Sequence, residues 1–190
     1  FLGEYVPLQN ERLAWVSGFT GSAGMVVVLK TSAAIFVDGR YTIQVRQQVS
    51  ADHYEFHHLI EDPPMLWLSE NLGAGARVGF DSRMHSYSWY EESRQLLTKQ
   101  EIELVEISQN PIDKHWQDRP EASQSLALLL SETFTGESSA SKRQRIGEDI
   151  GRLDADVALL TQLDSIAWLL NIRGADVPRL PVLLSFATLD

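Results

Sequence analysis

The 190-residue chain is 44% hydrophobic and 22% charged, which suits a folded protein with a real core and excludes a disordered tail. A net charge of -10, with a pI near 4.9, excludes a reader of the nucleic-acid backbone, which needs clustered Lys and Arg to displace counterions. Zero cysteines exclude disulfides and thiolate chemistry, and no apolar run reaches membrane-spanning length, so neither nucleic acid nor membrane is an expected partner.

Glu11 to Ser17 reads as a short helix with Leu13 and Val16 on one side, stopped at Gly18 by a left-handed cap. Met25 to Lys30 reads as a buried strand, Thr31-Ser32 as a turn, and Ala33 to Val37 as the antiparallel partner. Tyr41, Val45 and Val49 recur at every fourth position, so Arg40 to Val49 is a predicted helix. A third strand is expected around Tyr54 to Leu59. Pro63-Pro64 opens a helix over Met65 to Leu72, which Gly73 and Gly75 close. Arg77 to Asp81 is a strand, Ser86 caps a helix of Tyr87 to Lys99, and Ile102 to Ile107 returns as a strand. Helices alternating with strands indicate an α/β fold, and the hairpin at residues 25–37 makes its β-sheet mixed and flanked by helices.

Asn110-Pro111, Trp116 and Asp118-Arg-Pro120 break this rhythm, so residues 1–118 form one expected domain and 119–190 the start of another. In the second, Glu137 to Ser141 leads into a helix through Arg152 with Ile146, Ile150 and Leu153 inward. Val157 to Leu160 is a strand, Asp164 caps a helix of Ile166 to Leu170, and Leu183 to Phe186 is another strand. The segment Leu13-Ala-Trp-Val-Ser-Gly-Phe-Thr-Gly-Ser-Ala-Gly24 is echoed by Ile166-Ala-Trp-Leu-Leu-Asn-Ile-Arg-Gly-Ala-Asp-Val-Pro178. Laying Trp15 on Trp168 brings Ala14 onto Ala167 and Gly21 onto Gly174, the signature of a duplicated domain. The strand before the second copy has no counterpart before Glu4, so the first domain is expected to begin about two dozen residues earlier. More sheet is likewise expected beyond Asp190.

The candidate chemistry is sparse. Gly18-x-x-Gly21-x-x-Gly24 runs helix, glycines, strand, the reverse of a nucleotide loop, and reads as a tight crossover. Asp38-Gly-Arg-Tyr41 sits at a strand-to-helix junction, where α/β proteins expose functional side chains. Asp38 capping the helix and Arg40 pairing with it or with another carboxylate give a structural reading, which the residues taken alone favour somewhat over the functional one. His53, Glu55 and His57 share one strand face but lack a closing ligand, so they read as an exposed polar face. His85 and His115 are isolated, and Ser22, Ser165 and Ser185 have no nucleophile-elbow pattern. Glu91-Glu92 falls on a solvated helix face, and Trp15 and Trp168 read as core anchors.

The motifs Glu4-Tyr-Val-Pro7, Arg12 to Gly24, Val37-Asp-Gly-Arg-Tyr41, Asn110-Pro-Ile-Asp113 with Trp116, and Leu163 to Pro178 closely resemble the Xaa-Pro aminopeptidases, in their three-domain form. The resemblance implies two creatinase-type domains followed by a catalytic domain of the pita-bread fold, absent from this chain. That domain would carry two divalent metal ions, typically manganese, on two Asp, two Glu and one His. This chain would hold none and would be inactive alone. The implied substrates are peptides with proline at the second position, in a cytoplasmic enzyme whose homodimerisation relies largely on the catalytic domain. The implied role of this part is to shape substrate access, with Asp38, Arg40 and Tyr41 as substrate-proximal candidates. Two alternatives stand beside it: a metal-free, peptidase-like interaction module such as the histone-chaperone relatives, and a creatinase or prolidase.

Overall fold

The computed structural model describes residues 6–190, so Glu4, Tyr5 and any element expected before them lie outside the described residues. The chain divides into two compact units, Phe1–Pro120 and Glu121–Asp190.

In the first unit a 3-10 turn at Leu8–Asn10 leads into α1, Arg12–Ser17, which ends at Gly18 in the left-handed region with φ 81°. The Gly18 N–H closes the helix on the Ala14 carbonyl at 2.7 Å. Strands β1 (Gly24–Val28) and β2 (Ala33–Val37) pair antiparallel, helix α2 (Thr42–Gln48) follows, and β3 (Glu55–His58) lies parallel to β2. The strand order β1-β2-β3 therefore makes the mixed sheet expected from the hairpin.

Side-chain alternation on β2 builds two cores at once. Ala34 and Phe36 pack with Met65, Trp67, Leu68, Leu97 and Ile102, whereas Ile35 and Val37 pack with Phe19, Val45 and Val49. Full burial of each large apolar side chain contributes about 1.5–3 kcal/mol, and β2 is the element that feeds both cores, with Phe36 in one and Ile35 and Val37 in the other. Strand β1, expected to be buried, is only half-buried: it ends the strand order, and Val28 is exposed.

Helix α3 (Pro64–Asn71) starts at the proline pair, because a proline at the first turn loses no hydrogen bond. Strand β4 (Arg77–Phe80), a 3-10 turn at Ser82–Met84, and α4 (Tyr87–Thr98) follow, with the Ser86 hydroxyl accepting the Trp89 N–H. Strand β5 (Glu103–Glu106) pairs parallel to β4. The sequence reading treats Asn110-Pro111 as a break, but it starts a helix, α5 (Pro111–His115). The Asn110 side chain caps the Ile112 N–H and Pro111 occupies the first turn.

The second unit contains β6 (Leu128–Leu129), α6 (Glu132–Thr135), α7 (Ser139–Arg152), β7 (Ala158–Leu160), α8 (Leu163–Leu170), β8 (Ile172–Arg173) and β9 (Ala187–Leu189). Strands β6 and β8 pair antiparallel, as do β7 and β9. Three expectations are corrected here. Leu153 is 79% exposed because α7 has ended and the chain turns away through Asp154 at φ 54°. Asp164 lies inside the first turn of α8, behind a Gln162 cap that makes no side-chain bond. Leu183 to Phe186 form no ladder, since local bonds hold the segment: the Asp176 N–H donates to the Val182 carbonyl and the Leu184 N–H to the Asp176 carboxylate.

The two tryptophans are also not core anchors. Trp15 is 40% and Trp168 45% exposed. Each lies on a neighbour that covers one face, Trp116 for Trp15 and Lys142 for Trp168. Lys142 is buried in this unit together with Asn171, its Nζ donating to the Trp168 carbonyl at 3.0 Å and to Asn171 Oδ1 at 2.7 Å. A cation there satisfies carbonyl density at the end of α8.

Candidate functional site

The crossover loop and the strand-to-helix junction, far apart in sequence, form one polar shelf. The sharp exit from α1 at Gly18 sends Phe19 into the core, where it meets Tyr41 edge-on at 5.5 Å between ring centroids. That contact sets the Tyr41 ring so that its hydroxyl lies 2.8 Å from the Ser22 hydroxyl. Gln48, one end of α2, accepts the Thr20 N–H at 3.0 Å and donates to the Thr20 hydroxyl at 2.9 Å. The loop is thereby laced to α2 through the Gln48 side chain.

Asp38 and Arg40 stand at the mouth of this shelf. The Arg40 guanidinium donates to both Asp38 oxygens, at 2.7 Å from Nη2 to Oδ2 and 3.2 Å from Nε to Oδ1, and stacks 5.2 Å over Tyr41. Asp38 does not cap α2 as the structural reading supposes. It accepts the Arg40 N–H two residues on, so it closes the turn, and Tyr41 occupies the cap position without a side-chain bond. The hydrogen bond from Arg40 holds the Asp38 carboxyl below its usual range, and the bond with Ser22 lowers the Tyr41 phenol. Arg40 is 61% exposed, and its head is held in a fixed orientation by the Asp38 carboxylate.

A second polar assembly was missed because its members lie at opposite ends of the unit. Arg12 on α1 and Asp113 on α5 form a two-pronged ion pair, Nε to Oδ1 at 2.7 Å and Nη2 to Oδ2 at 3.0 Å. Arg119 also approaches Asp113 at 3.2 Å, donates to the Gln9 carbonyl at 2.7 Å, and lies over the Trp116 ring. Trp116 in turn stacks on Trp15 at 6.0 Å. Both Arg12 and Asp113 occur in motifs noted in the sequence, but nothing in their spacing pairs them.

Beside it, the buried Asp81 accepts from Arg83 at 2.8 Å and from the Asn110 amide at 3.1 Å. These bonds, Arg83 first, hold its pKa down to about 2. A depressed carboxyl contributes stability above its unfolded value near pH 4 and loses it as pH falls through about 2. Wild-type protein should lose most of about 2 kcal/mol between those limits, and Asp81→Asn should lose much less. Acid titration followed by circular dichroism reads the difference, and parallel curves would remove this role.

The other sequence candidates do not converge. His53 lies in a turn ahead of β3 and not on its face. His57 is not on an exposed polar face: it stacks on Phe36 at 5.1 Å and is held by Asp62 and, at 3.3 Å, by Glu55, which also accepts the Trp67 indole at 3.1 Å. Glu91 pairs with Arg94 on α4. The Ser165 N–H donates to the adjacent Asp164 carboxylate, and the Ser185 hydroxyl donates to the Leu183 carbonyl. Among the described residues no three His, Asp or Glu side chains are grouped to hold a metal ion, so the donor set for a dinuclear centre does not fit here.

The chain resembles known proteins along its whole length. The family model of the creatinase/prolidase N-terminal domain matches residues 5–114, and a second model of the same description matches residues 118–190. The chain is 35% identical to aminopeptidase P1 of Lotus japonicus and 33% identical to human Xaa-Pro aminopeptidase 2, over 97% and 99% of its own length. It covers 28% of each. The crystal structure of X-prolyl aminopeptidase from Caenorhabditis elegans, a cytosolic enzyme with a di-nuclear active site, superposes with a TM-score of 0.88 at 29% identity, over 98% of this chain and 31% of that one. This chain thus spans under a third of the length of these relatives. Two matched domain models and a shared α/β architecture make the chain a member of the creatinase/prolidase N-terminal domain family.

Proposed function

We propose that this chain is the non-catalytic amino-terminal part of a metal-dependent Xaa-Pro aminopeptidase, which removes the residue preceding proline from a peptide's N-terminus. The reading rests on one observation: similarity to Xaa-Pro aminopeptidases runs over almost the whole chain, across both units. Residues 1–118 then make the first creatinase-type domain and 119–190 begin the second. Catalysis falls to a domain outside this sequence, where two metal ions, manganese by our reading, would supply an activated water. A cytoplasmic setting follows the cytosolic Caenorhabditis elegans relative. The decisive experiment is a manganese-dependent assay of the full-length protein on Xaa-Pro peptides. Cleavage that needs both metal and the second-position proline supports the proposal, and no cleavage by metal-loaded protein overturns it.

Within that enzyme, the shelf of Asp38, Arg40 and Tyr41 narrows the approach and steers a peptide terminus. Arg40 is the charged member, pre-oriented by Asp38 and Tyr41, and a charge-assisted bond to a carboxylate is worth about 1.5–3 kcal/mol. Arg40→Ala in the full-length protein should raise KM roughly tenfold or more at constant kcat, with an unchanged unfolding temperature. Arg40→Lys should recover part of the loss. A lowered unfolding temperature with unaltered KM would assign the junction to structure alone.

A further inference from the structure

Away from the shelf, the first unit holds a cavity of about 400 Å³ that neither the family assignment nor the proposed function uses. Strands β4 and β5 end beside the start of α4 and supply Phe80, Leu104 and Glu106 from one side, Tyr87 and Tyr90 from the other, with His85 between. Phe80 and Tyr90 stack at 5.4 Å with 23° between their planes, and Tyr87 follows at 6.3 Å from Tyr90. His85 stacks on Trp89 at 3.6 Å.

We infer that this cavity binds an organic cation, an alkylammonium or guanidinium head, between the tyrosine rings and the Glu106 carboxylate. Three observations agree on the sign of the ligand. The aromatic faces carry a negative quadrupole, and cations over such rings gain about 0.5–2 kcal/mol. Glu106 takes a hydrogen bond from Ser82, which leaves most of its acceptor sites available. No Lys or Arg lines the cavity, and burial lowers the pKa of His85, so at neutral pH the imidazole adds a ring without a repelling charge. The chain's net charge of -10 favours the encounter further. Tyr87 at the rim is 76% exposed, an open aromatic face that the fold of α4 does not need for packing.

Calorimetric titration of the full-length protein tests this with tetramethylammonium, N-acetyl-arginine amide and the neutral N-acetyl-norleucine amide. Both cations should bind with Kd of about 1 mM or tighter, and the neutral compound should not. Glu106→Gln keeps an oxygen for Ser82 and should weaken binding about tenfold, while Tyr87→Leu, at an exposed position, should weaken it several-fold with circular dichroism unchanged. Preference for the arginine amide assigns the site to a peptide side chain, and preference for tetramethylammonium assigns it to a free quaternary ammonium. Equal binding of the neutral amide, indifference to Glu106→Gln, or no heat up to about 10 mM cation overturns the inference.

Discussion

Asp113→Ala is expected to cost about 3–5 kcal/mol of stability, far more than an exposed ion pair supplies. Two guanidinium groups converge on this carboxylate, and Arg12 and Asp113 are both largely withdrawn from water. Removal of Asp113 leaves Arg12 desolvated and facing Arg119 with nothing between them. Loss of the charge partner also releases α5 from α1, and with it the stacking of Trp116 on Trp15. Urea unfolding followed by tryptophan emission reads both effects, because both indoles sit at this junction. The double variant Arg12→Met, Asp113→Ala should lose less than the single Asp113→Ala, since the more deeply buried guanidinium, Arg12, is no longer there to be left without its carboxylate. If the two single losses simply add, the pair is not coupled and the junction is held by the indole stack.

Elements set by local chemistry were legible from the sequence. The short apolar run of β2, the left-handed cap at Gly18, the proline start of α3 and the Ser86 cap each need only a few adjacent residues to be recognised. What escaped depended on partners distant in sequence. Nothing local in Arg12 points to Asp113, and nothing in Tyr41 points to Ser22. Trp15 and Trp168 look like core residues by type, yet each offers one face to a neighbour and keeps the other wet. Lys142 is the converse case. A lysine in a polar helix reads as solvated, but two acceptors at the end of α8 draw its ammonium inside. Leu183 to Phe186 reads as a strand by composition, and hydrogen bonds centred on Asp176 claim that backbone first. Of the candidate site, the junction Asp38 to Tyr41 was visible, while the loop that completes the shelf was visible only as glycine spacing.

That glycine spacing yields the second large effect. Gly21→Ala should destabilise the first unit by about 2–4 kcal/mol, although the residue does not occupy a left-handed conformation. A methyl group added there would fall 2.2 Å from Phe19 Cζ and within 2.9 Å of two more atoms of the same ring. Phe19 cannot step aside, because it is buried among Ile35, Val37, Val45 and Val49. The matching Gly174 faces the same kind of obstruction, with Leu183 Cδ2 at 2.2 Å and the Val182 carbonyl at 3.1 Å. Leu183 is less confined than Phe19 and can change rotamer, so Gly174→Ala should cost about 1–2 kcal/mol. Pairing Gly21→Ala with Phe19→Leu should return part of the loss, since the smaller side chain makes room for the methyl. A thermal melt of the three variants separates the explanations. If Gly21→Ala leaves the melting temperature untouched, close packing is not the reason for glycine, and the loop's backbone would again be open to a ligand-binding role. If the paired variant recovers stability, Gly21 is there to let Phe19 fold back over the chain into the core.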